Sequence, residues 1–478
     1  MMTSVALVIA IPFLSAAVLT LVPGYRVSAA GNMLAMFATF LAGLSLLFVE
    51  PETRDYFIID EMNILFVILN TLVGLTTSVF SASYIGHEIE TGKLTPLFVR
   101  FYHAMFLAMM GSMNLALTAN NIGLMWVGLE MATLITVVMV GIYRTPSALE
   151  ASWKYFILGS VGISLAFFGT ILIYLAGQKT LGEGAPAMTW NLLLASAPQL
   201  DVSLLNLAFI FLLIGYGTKI GLAPLHAWLP DAHSEGPTPI SAVLSGLLLN
   251  VALYGLLRFK MIVSANSEAI QPGPIMIVMG LISLIFAAFM LYQRRDIKRL
   301  FAYSSIEHMG LITFAFGMGG PLANFAGLLH MAMHSLTKSA IFFAVGHVAQ
   351  AKGTQRIAAI RGLSVTHPGL ALGLAAGVFA ISGLPPFGVF MSEFLIITTT
   401  FARAPWLAVL PALGLLIAFG ALLWRLQDLL FGEPTEPAHP VKASSIPLLV
   451  HMTLVLIAGI YLPPMLAAWF ERAAELLK

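Results

Sequence analysis

Long apolar runs, separated by short polar segments, occupy this sequence from one end to the other. Fourteen runs reach about 20 residues, the length at which an α-helix crosses a bilayer, and none shows the ten-residue alternation of β-barrel strands. The pattern predicts an all-α integral membrane protein with about fourteen transmembrane helices. The predicted spans lie near 3–23, 28–48, 62–85, 100–118, 121–143, 153–177, 203–225, 238–260, 274–292, 300–318, 322–349, 370–402, 406–431 and 445–466.

Two of these spans are interrupted by prolines and glycines. Span 7 contains GLAPLHAWLP with Pro224, and span 12 contains SGLPPFGVFMSE with Pro385 and Pro386. They lie five spans apart, an odd offset that gives opposite membrane orientations, so spans 4–8 and 9–13 are predicted to be two inverted five-helix repeats. Paired broken spans point to a transport site. The predicted segments are 1–99 with three helices, the repeats 100–262 and 263–433, and a C-terminal helix in 434–478.

Composition excludes a soluble fold and narrows the chemistry. Charged residues make up 9% of the chain, against about 25% in soluble domains. The net charge of +1 gives no sign of a nucleic-acid partner, and the absence of cysteine excludes disulfides and thiolate-held iron–sulfur clusters from this chain. We expect no cofactor and no metal here, so that the electrons of any linked redox reaction travel through another subunit.

The distribution of lysine and arginine predicts the orientation in the membrane. Loops after odd-numbered spans hold 14 of these residues, and loops after even-numbered spans, with the C-terminal tail, hold seven. The positive-inside rule then places the odd-numbered loops in the cytoplasm. Both termini are predicted on the outer side of a prokaryotic inner membrane, with the first apolar run retained as a span.

Two opposite charges lie inside predicted spans of the first repeat. Glu130 is midway through span 5, and Lys219 lies in span 7 with no acid within reach on its own helix. Charges near the bilayer centre are costly and are functional candidates by default. Lysine needs a partner on another helix, and Glu130 is the best candidate for a pair that opens and closes. The alternative for Glu130 is a protonated or hydrogen-bonded packing residue.

The second repeat carries a stripe of titratable groups on span 11. His330, His334 and Lys338 are spaced by four residues and share one helix face, which favours a proton path over the alternative of packing histidines. Glu393 follows the break in span 12 and extends the series, although it also suits a cap for the helix that begins there.

Haem ligation is a rival interpretation of the histidines. His334 and His347 are 13 residues apart, a spacing that suits two stacked haems, but a matching pair on a second helix is required. The nearest pair, His226 and His233, is only seven apart and flanks a break, so haem is rejected.

Other ionisable residues are candidates for cytoplasmic proton uptake or auxiliary roles. The alternative for Asp231 and His233, in the polar stretch after span 7, is a solvated loop. For Glu307 and His308 in span 10 it is a water-facing boundary, and for Lys154 at the start of span 6 it is a side chain that snorkels to the interface. These residues are Lys154, His226, Asp231, His233, Glu307 and His308.

Several motifs together resemble one known family. They are KIGLAPLHAWLPDAHSEGPTPISAVLSG from Lys219 onward, Glu130 in span 5, AYSSIEHMG in span 10 and HMAMHSLTKSAIFF in span 11. The chain resembles the antiporter-like, proton-conducting membrane subunits of complex I (types M, N and L), Mrp antiporters and group 4 membrane hydrogenases. IEHMG, PPFGVFMSEF and the short C-terminus are most similar to the F-type membrane subunit of hydrogenase-4.

The resemblance implies roles for individual residues. Glu130 and Lys219 would form the pair of the first half-channel, the span 11 stripe would form the central axis, and Glu393 would lead to the outer side. One position departs from the family: LSGLLLNVALYGLLRF has Asn250 where members often carry a lysine. Asparagine holds water but carries no proton, so the link either runs through ordered water or conducts weakly.

The sequence thus favours a proton-translocating subunit, without a redox site of its own, in a hydrogenase-4, formate hydrogenlyase-like or complex I-like assembly. Its expected partners are other membrane subunits and a soluble arm that is nickel–iron hydrogenase-like or quinone-reducing. The alternatives are an Mrp-like cation/proton antiporter subunit, with sodium as a further ion, and a membrane partner of a soluble inorganic-carbon-uptake protein.

Overall fold

The computed structural model describes residues 2–94, 96–436, 439–440 and 443–477. The other positions, 1, 95, 437–438, 441–442 and 478, belong to the first and last predicted segments and lie outside the described residues. The α-helices in chain order are α1 Met2–Thr20, α2 Tyr25–Ser45, α3 Glu61–Glu90, α4 Pro96–Thr118, α5 Ile122–Val140, α6 Pro146–Leu181, α7 Trp190–Ser196, α8 Val202–Ile220, α9 Leu229–Glu235, α10 Thr238–Val243, α11 Leu249–Ser264, α12 Pro272–Tyr292, α13 Ile297–Met318, α14 Pro321–Lys352, α15 Leu363–Thr366, α16 Pro368–Ile381, α17 Gly388–Arg403, α18 Pro405–Leu430, α19 Ile446–Ile460 and α20 Pro464–Glu475.

Short elements complete the chain. Strands β1 Glu52–Thr53 and β2 Ile58–Ile59 pair in antiparallel fashion. A π-helical turn, Leu244–Leu248, joins α10 to α11 into one continuous span. Turns of 3₁₀-helix lie at Leu46–Phe48, Gly141–Tyr143, Pro186–Met188, Ala197–Gln199 and Ile357–Ala359.

The helices agree with the apolar pattern of the sequence. Every predicted span coincides with a helix or with helices separated by a short break. Among the residues that the structure describes, nine helices are long and apolar enough to cross a membrane, or ten if α19 and α20 form one bent span. The all-helical membrane architecture is therefore confirmed. The number of fourteen crossings, the inverted repeats and the four-segment division remain predictions.

The centre of the bundle consists of the span formed by α10 and α11, together with α14. Both are fully buried along their most apolar lengths. Asn250 lies on α11, and His330, His334 and Lys338 lie on α14, all of them buried. These four polar residues are thus enclosed by protein on every side.

The break in span 7 follows from its local sequence. α8 ends at Ile220 because Gly221 adopts a left-handed conformation with φ of 83°, and Pro224 cannot continue a helical hydrogen-bond ladder. The carbonyl of Thr218 in the last turn of α8 accepts a hydrogen bond from Trp228 Nε1 at 2.7 Å. The next residues form the short helix α9, with Pro230 in its first turn. The polar loop expected after span 7 is therefore helical.

The break in span 12 separates α16 from α17. Gly383 has φ of 66° and is followed by Pro385 and Pro386. Glu393 lies beyond the first turn of α17, so the alternative of a helix-capping glutamate does not hold. Its carboxylate instead lies against Gly383, where any side chain would overlap it.

A third bend lies in the last predicted span, whereas the sequence predicts breaks only in spans 7 and 12. α19 and α20 meet at 86° within the last predicted span. Pro463 and Pro464 lack the N–H groups that a continuous helix requires. Trp469 Nε1 donates a hydrogen bond of 2.8 Å to the carbonyl of Glu61 and so holds α20 against α3.

A buried ion pair fixes α11 in the bundle. Arg258 Nη2 lies 2.6 Å from Asp60 Oδ2, and Arg258 Nε donates to the hydroxyl of Tyr254 at 2.9 Å. That hydroxyl donates to the carbonyl of Leu117 at 2.8 Å, and the guanidinium lies 4.4 Å from the ring of Trp190. The helix that carries Asn250 is therefore held from both α3 and α4.

Asp60→Asn is expected to destabilise the protein by about 3 kcal/mol, because it keeps the helix cap but leaves the Arg258 charge buried without its counterion. Thermal unfolding in detergent measures this as a lower Tm. Asp428→Asn is the control, since it removes the acid of the partly exposed Arg425–Asp428 pair at 3.4 Å, which is worth about 0–1 kcal/mol. Equal losses in the two variants would contradict the interpretation.

Candidate ion-translocation site

Lys219 lies in a slot between α6 and α8. Its side chain is buried, and Nζ lies 5.5 Å from the centre of the Tyr155 ring. Gly159 on α6 leaves the necessary room, because a methyl group there would come within 2.8 Å of Nζ. Nζ has no hydrogen-bond partner among the described residues. Since a buried charge is costly without a partner, a charge in this slot is destabilised until an acid approaches.

Tyr155 connects this slot to the break after α8. Its ring stacks on Trp228 with centroids 4.3 Å apart and planes 11° apart. Its hydroxyl lies 2.9 Å from Thr136 Oγ1 on α5. A movement of the segment between α8 and α9, which contains Trp228, would therefore also displace the Tyr155 ring that faces Lys219.

Glu130 does not make the direct contact with Lys219 that the sequence suggests. It is half-buried on α5, and neither a hydrogen bond nor an ion pair joins the two side chains in the part of the chain that the structure describes. The reason is that α6 packs against both α5 and α8, with Tyr155 and Gly159 next to the lysine. The two charges interact only through space.

Asn250 joins α11 to α14. Its Nδ2 donates to Ser335 Oγ at 2.7 Å and to the carbonyl of Met331 at 3.0 Å. Ser335 directly follows His334. The amide oxygen of Asn250 is buried and has no hydrogen-bond partner among the described residues. Such an acceptor is unusual inside a protein and suits a bound water.

A cluster of histidines and a glutamate lies where α13, α14 and α17 meet. His308 Nδ1 is 3.0 Å from His330 Nε2, and His330 Nδ1 is 2.8 Å from Ser392 Oγ. His308 Nδ1 also lies 3.8 Å from Glu393 Oε1. The sequence suggested Glu393 as one step of the series, and the structure brings it into contact with His308.

Glu307 and His308 are not water-facing boundary residues. Each is 1% exposed, and His308 Nε2 lies 3.5 Å from Glu307 Oε2. The ring of His334 is 5.6 Å from that of His308, and both nitrogens of His334 lack hydrogen-bond partners within the described residues. Only auxiliary roles were predicted for Glu307 and His308, because the spacing within one helix does not reveal contacts with another.

Lys338 completes this cluster one helical turn beyond His334. Its Nζ is buried and donates a hydrogen bond of 2.7 Å to the carbonyl of Phe301 on α13. Its charge interacts through space with that of Glu307. Two acids, three histidines and a lysine are thus packed together in the bundle centre.

The auxiliary residues near α9 separate into two groups. Asp231 is bridged by Lys154 at 3.2 Å and by Arg299 at 3.0 Å, which ties α9 to α6 and α13. His233 is buried and stacks on Phe342 with centroids 4.8 Å apart, and both of its nitrogens lack partners among the described residues. The solvated-loop alternative is therefore wrong for His233.

His226 lies in the break between α8 and α9. It is largely buried, its ring is 4.9 Å from that of Phe286, and its Nδ1 has no hydrogen-bond partner within the described residues. Free ring nitrogens at both ends of α9 give this side of the bundle two groups that can exchange protons.

Comparisons with known proteins agree with this architecture. A profile of the family described as NADH:quinone oxidoreductase/Mrp antiporter, TM, matches residues 119–418. The Hydrogenase-4 component F homolog of Methylacidiphilum infernorum (isolate V4) is 58% identical over 475 residues, which cover 99% of this chain and 100% of the relative.

Two solved structures share the fold over nearly the whole chain. A chain of the membrane-bound sulfane sulfur reductase, an archaeal respiratory membrane complex, aligns with a TM-score of 0.88 and 23% identity, covering 99% of this chain and 97% of the other. A chain of the Mrp complex from Dietzia sp. DQ12-45-1b aligns with a TM-score of 0.85 and 18% identity, covering 100% and 98%.

Proposed function

Because this chain belongs to the NADH:quinone oxidoreductase/Mrp antiporter membrane family, we propose that it carries protons through the membrane part of a hydrogenase-4-type redox complex. It is an antiporter-like membrane subunit of the kind found in complex I-like and hydrogenase-4-type assemblies. Its partners are other membrane subunits and a soluble arm that carries out the redox reaction, and this chain itself contributes no cofactor. The complex lies in the inner membrane, with both termini of this chain outside.

One observation carries the proposal: ionisable side chains lie inside the bundle in two groups, with a polar pair between the central helices α11 and α14. The first group is half-buried Glu130 with buried Lys219, and the polar pair is Asn250 with Ser335. The second group extends from the histidines of α14 to Glu393 beside the break in span 12. Ionisable side chains inside a membrane-spanning bundle mark ion pathways, because burying them there costs free energy that is retained only where they serve a function.

Protons would travel along these groups in sequence. We place uptake at the α9 side, where His226 and His233 have free ring nitrogens and Lys154 and Asp231 set the local charge. Lys219 accepts a proton while Glu130 is near, and loses it when the two charges separate, because the lysine then stands alone in its slot. The redox reaction in the partner arm would drive this opening and closing.

The transfer then crosses Asn250. A water on its free amide oxygen would bridge the first group to Ser335 and His334, since asparagine cannot itself carry the proton. The proton continues over the clustered groups His330, His334, Lys338, Glu307 and His308 to Glu393 and the outer side.

Replacing Asn250 by leucine is expected to slow proton transfer by about tenfold, because it removes the acceptor for the bridging water and leaves Ser335 without its donor. Asn250→Gln keeps an amide and is expected to retain more activity. Both are measured as initial rates of proton movement in membrane vesicles. A leucine variant as fast as wild type would exclude the water link.

Gly159→Ala tests whether the slot around Lys219 matters for function. Because the added methyl group would lie 2.8 Å from Nζ, the lysine must move, and we expect a loss of about tenfold in proton transfer. Gly369→Ala is the matched control, since a methyl group at that position meets nothing within 4 Å. The same loss in both variants would show that the effect is not specific to the slot.

A second candidate function is a cation/proton antiporter without electron transfer, favoured by the alignment with the Mrp complex chain at a TM-score of 0.85. Purification of the native complex in mild detergent, followed by mass spectrometry of its subunits, distinguishes the two. Redox subunits, with proton movement driven by their electron donor, support the proposal. A complex without redox subunits that exchanges sodium for protons in liposomes would overturn it.

A further inference from the structure

We propose that His308, His330 and Glu393 form a binding site for a divalent transition-metal ion of the zinc class. One ligand atom from each residue, an imidazole nitrogen or a carboxylate oxygen, lies within 4.8 Å of the other two. The three residues come from α13, α14 and α17, so the sequence contains no metal-binding motif and predicted no metal. Only the packing of the three helices reveals the site.

The ligand spacing suits tetrahedral coordination. Zinc bound to imidazole at about 2.0–2.1 Å requires its ligand atoms to be about 3.3 Å apart. His308 Nδ1 lies 3.0 Å from His330 Nε2 and 3.8 Å from Glu393 Oε1. These two distances lie on either side of the required value, so small side-chain shifts make room for an ion. A water molecule can occupy the fourth position.

The neighbouring hydrogen bonds already orient one ligand. Ser392 Oγ donates to the carbonyl of Val389 at 2.8 Å, so it accepts from Nδ1–H of His330. This assignment leaves the lone pair of His330 Nε2 directed at the site. An imidazole whose second nitrogen donates a fixed hydrogen bond is the usual arrangement around protein-bound metals.

The surroundings of His308 also accommodate the change of tautomer that metal binding requires. Without an ion, Nδ1–H of His308 donates to Nε2 of His330. When Nδ1 binds the metal, the proton of the neutral ring moves to Nε2, where Glu307 Oε2 lies 3.5 Å away without a hydrogen-bond partner among the described residues. Glu307 would then orient His308 as a carboxylate partner.

The third ligand is free and reachable. Glu393 Oε1 is buried and lacks a hydrogen-bond partner in the part of the chain that the structure describes. The Glu393 side chain as a whole is 10% exposed and adjoins the break that contains Gly383, which gives the ion a way in.

The donor set selects the class of ion. Two imidazoles and one carboxylate favour zinc and neighbouring transition metals, whereas sodium, magnesium and calcium prefer oxygen ligands. An ion held here would occupy the last steps of the proton path and block them. That consequence rests on the proposed function, whereas the binding does not.

Zinc binding to the purified complex tests the proposal. After incubation with zinc chloride and gel filtration, the wild-type complex is expected to retain about one zinc ion more than His330→Leu. His347→Leu removes another buried histidine of α14 and serves as the control, with wild-type binding expected. Equal zinc content in wild type and His330→Leu would overturn the site.

X-ray absorption at the zinc edge gives a second readout, the identity of the ligand atoms. Difference spectra between the wild type and His330→Leu are expected to show a zinc shell with imidazole nitrogens and a carboxylate oxygen; a shell without imidazole would overturn the site.

Lys338→Met separates the metal site from the proton path. If it binds zinc normally but still moves protons, the proton path fails and the metal site stands; if it moves no protons and wild type binds no zinc at this position, the metal site alone fails.

Discussion

Lys219→Met is expected to reduce proton translocation by about 100-fold. Methionine has a similar size but carries no proton, so a transferred charge would have to cross the slot beside Tyr155 unaided. The cost of a charge in the bilayer interior is roughly 2.5–3.5 kcal/mol, which corresponds to about a 100-fold change in rate. The rate is measured by quenching of a pH-sensitive dye in inside-out vesicles supplied with the electron donor of the copurifying subunits.

Lys260→Met provides the control for this experiment. Lys260 is also a mostly buried lysine and lies on α11, outside the proposed path. Near-normal proton movement is expected in that variant, and the amount of assembled complex should match wild type in both. If Lys219→Met retained wild-type proton movement in a fully assembled complex, Lys219 would have no role in transfer.

Lys338→Met is expected to have a similarly large effect, about 100-fold, in the second group. Lys338 lies one helical turn beyond His334 on α14, and its charge interacts through space with that of Glu307. Without it, Glu307 loses the nearby lysine, and the proposed path loses a group that can carry a proton. The same vesicle assay measures the loss.

Lys352 is a closely matched control on the same helix. Its side chain is buried and Nζ donates a hydrogen bond of 2.6 Å to the carbonyl of Thr435, much as Lys338 donates to Phe301. Lys352→Met is expected to leave proton movement close to normal. If both lysine variants lost activity equally, the effect of Lys338→Met would be structural, and the proposed role of the second group would be contradicted.

The sequence predicted well what depends on a single helix. The apolar runs predicted the helices, the prolines and glycines predicted two breaks, and the four-residue spacing placed His330, His334 and Lys338 together on α14. The motifs also identified the family correctly. Each of these features is local, so that the order of residues along one helix is sufficient to recognise it.

Features that depend on how helices pack were missed. His308 meets His330 and Glu393 across three helices, and no spacing in the sequence indicates this contact. Glu130 and Lys219 are separated because α6 lies between their helices, which a list of charges does not show. The number of membrane crossings is also difficult to determine, because a broken span yields two short helices. In span 12 these are α16 with 14 residues and α17 with 16 residues.

The proposed function requires that protons cross the membrane through both groups of ionisable residues in this chain. The most direct test is the number of protons moved per electron by the purified complex in liposomes, compared between wild type and the Lys219→Met/Lys338→Met double variant. This ratio is expected to fall in the double variant and, in wild type, to stay unchanged when sodium is replaced by potassium. An equal ratio in the two proteins, or a requirement for sodium, would contradict the proposed function.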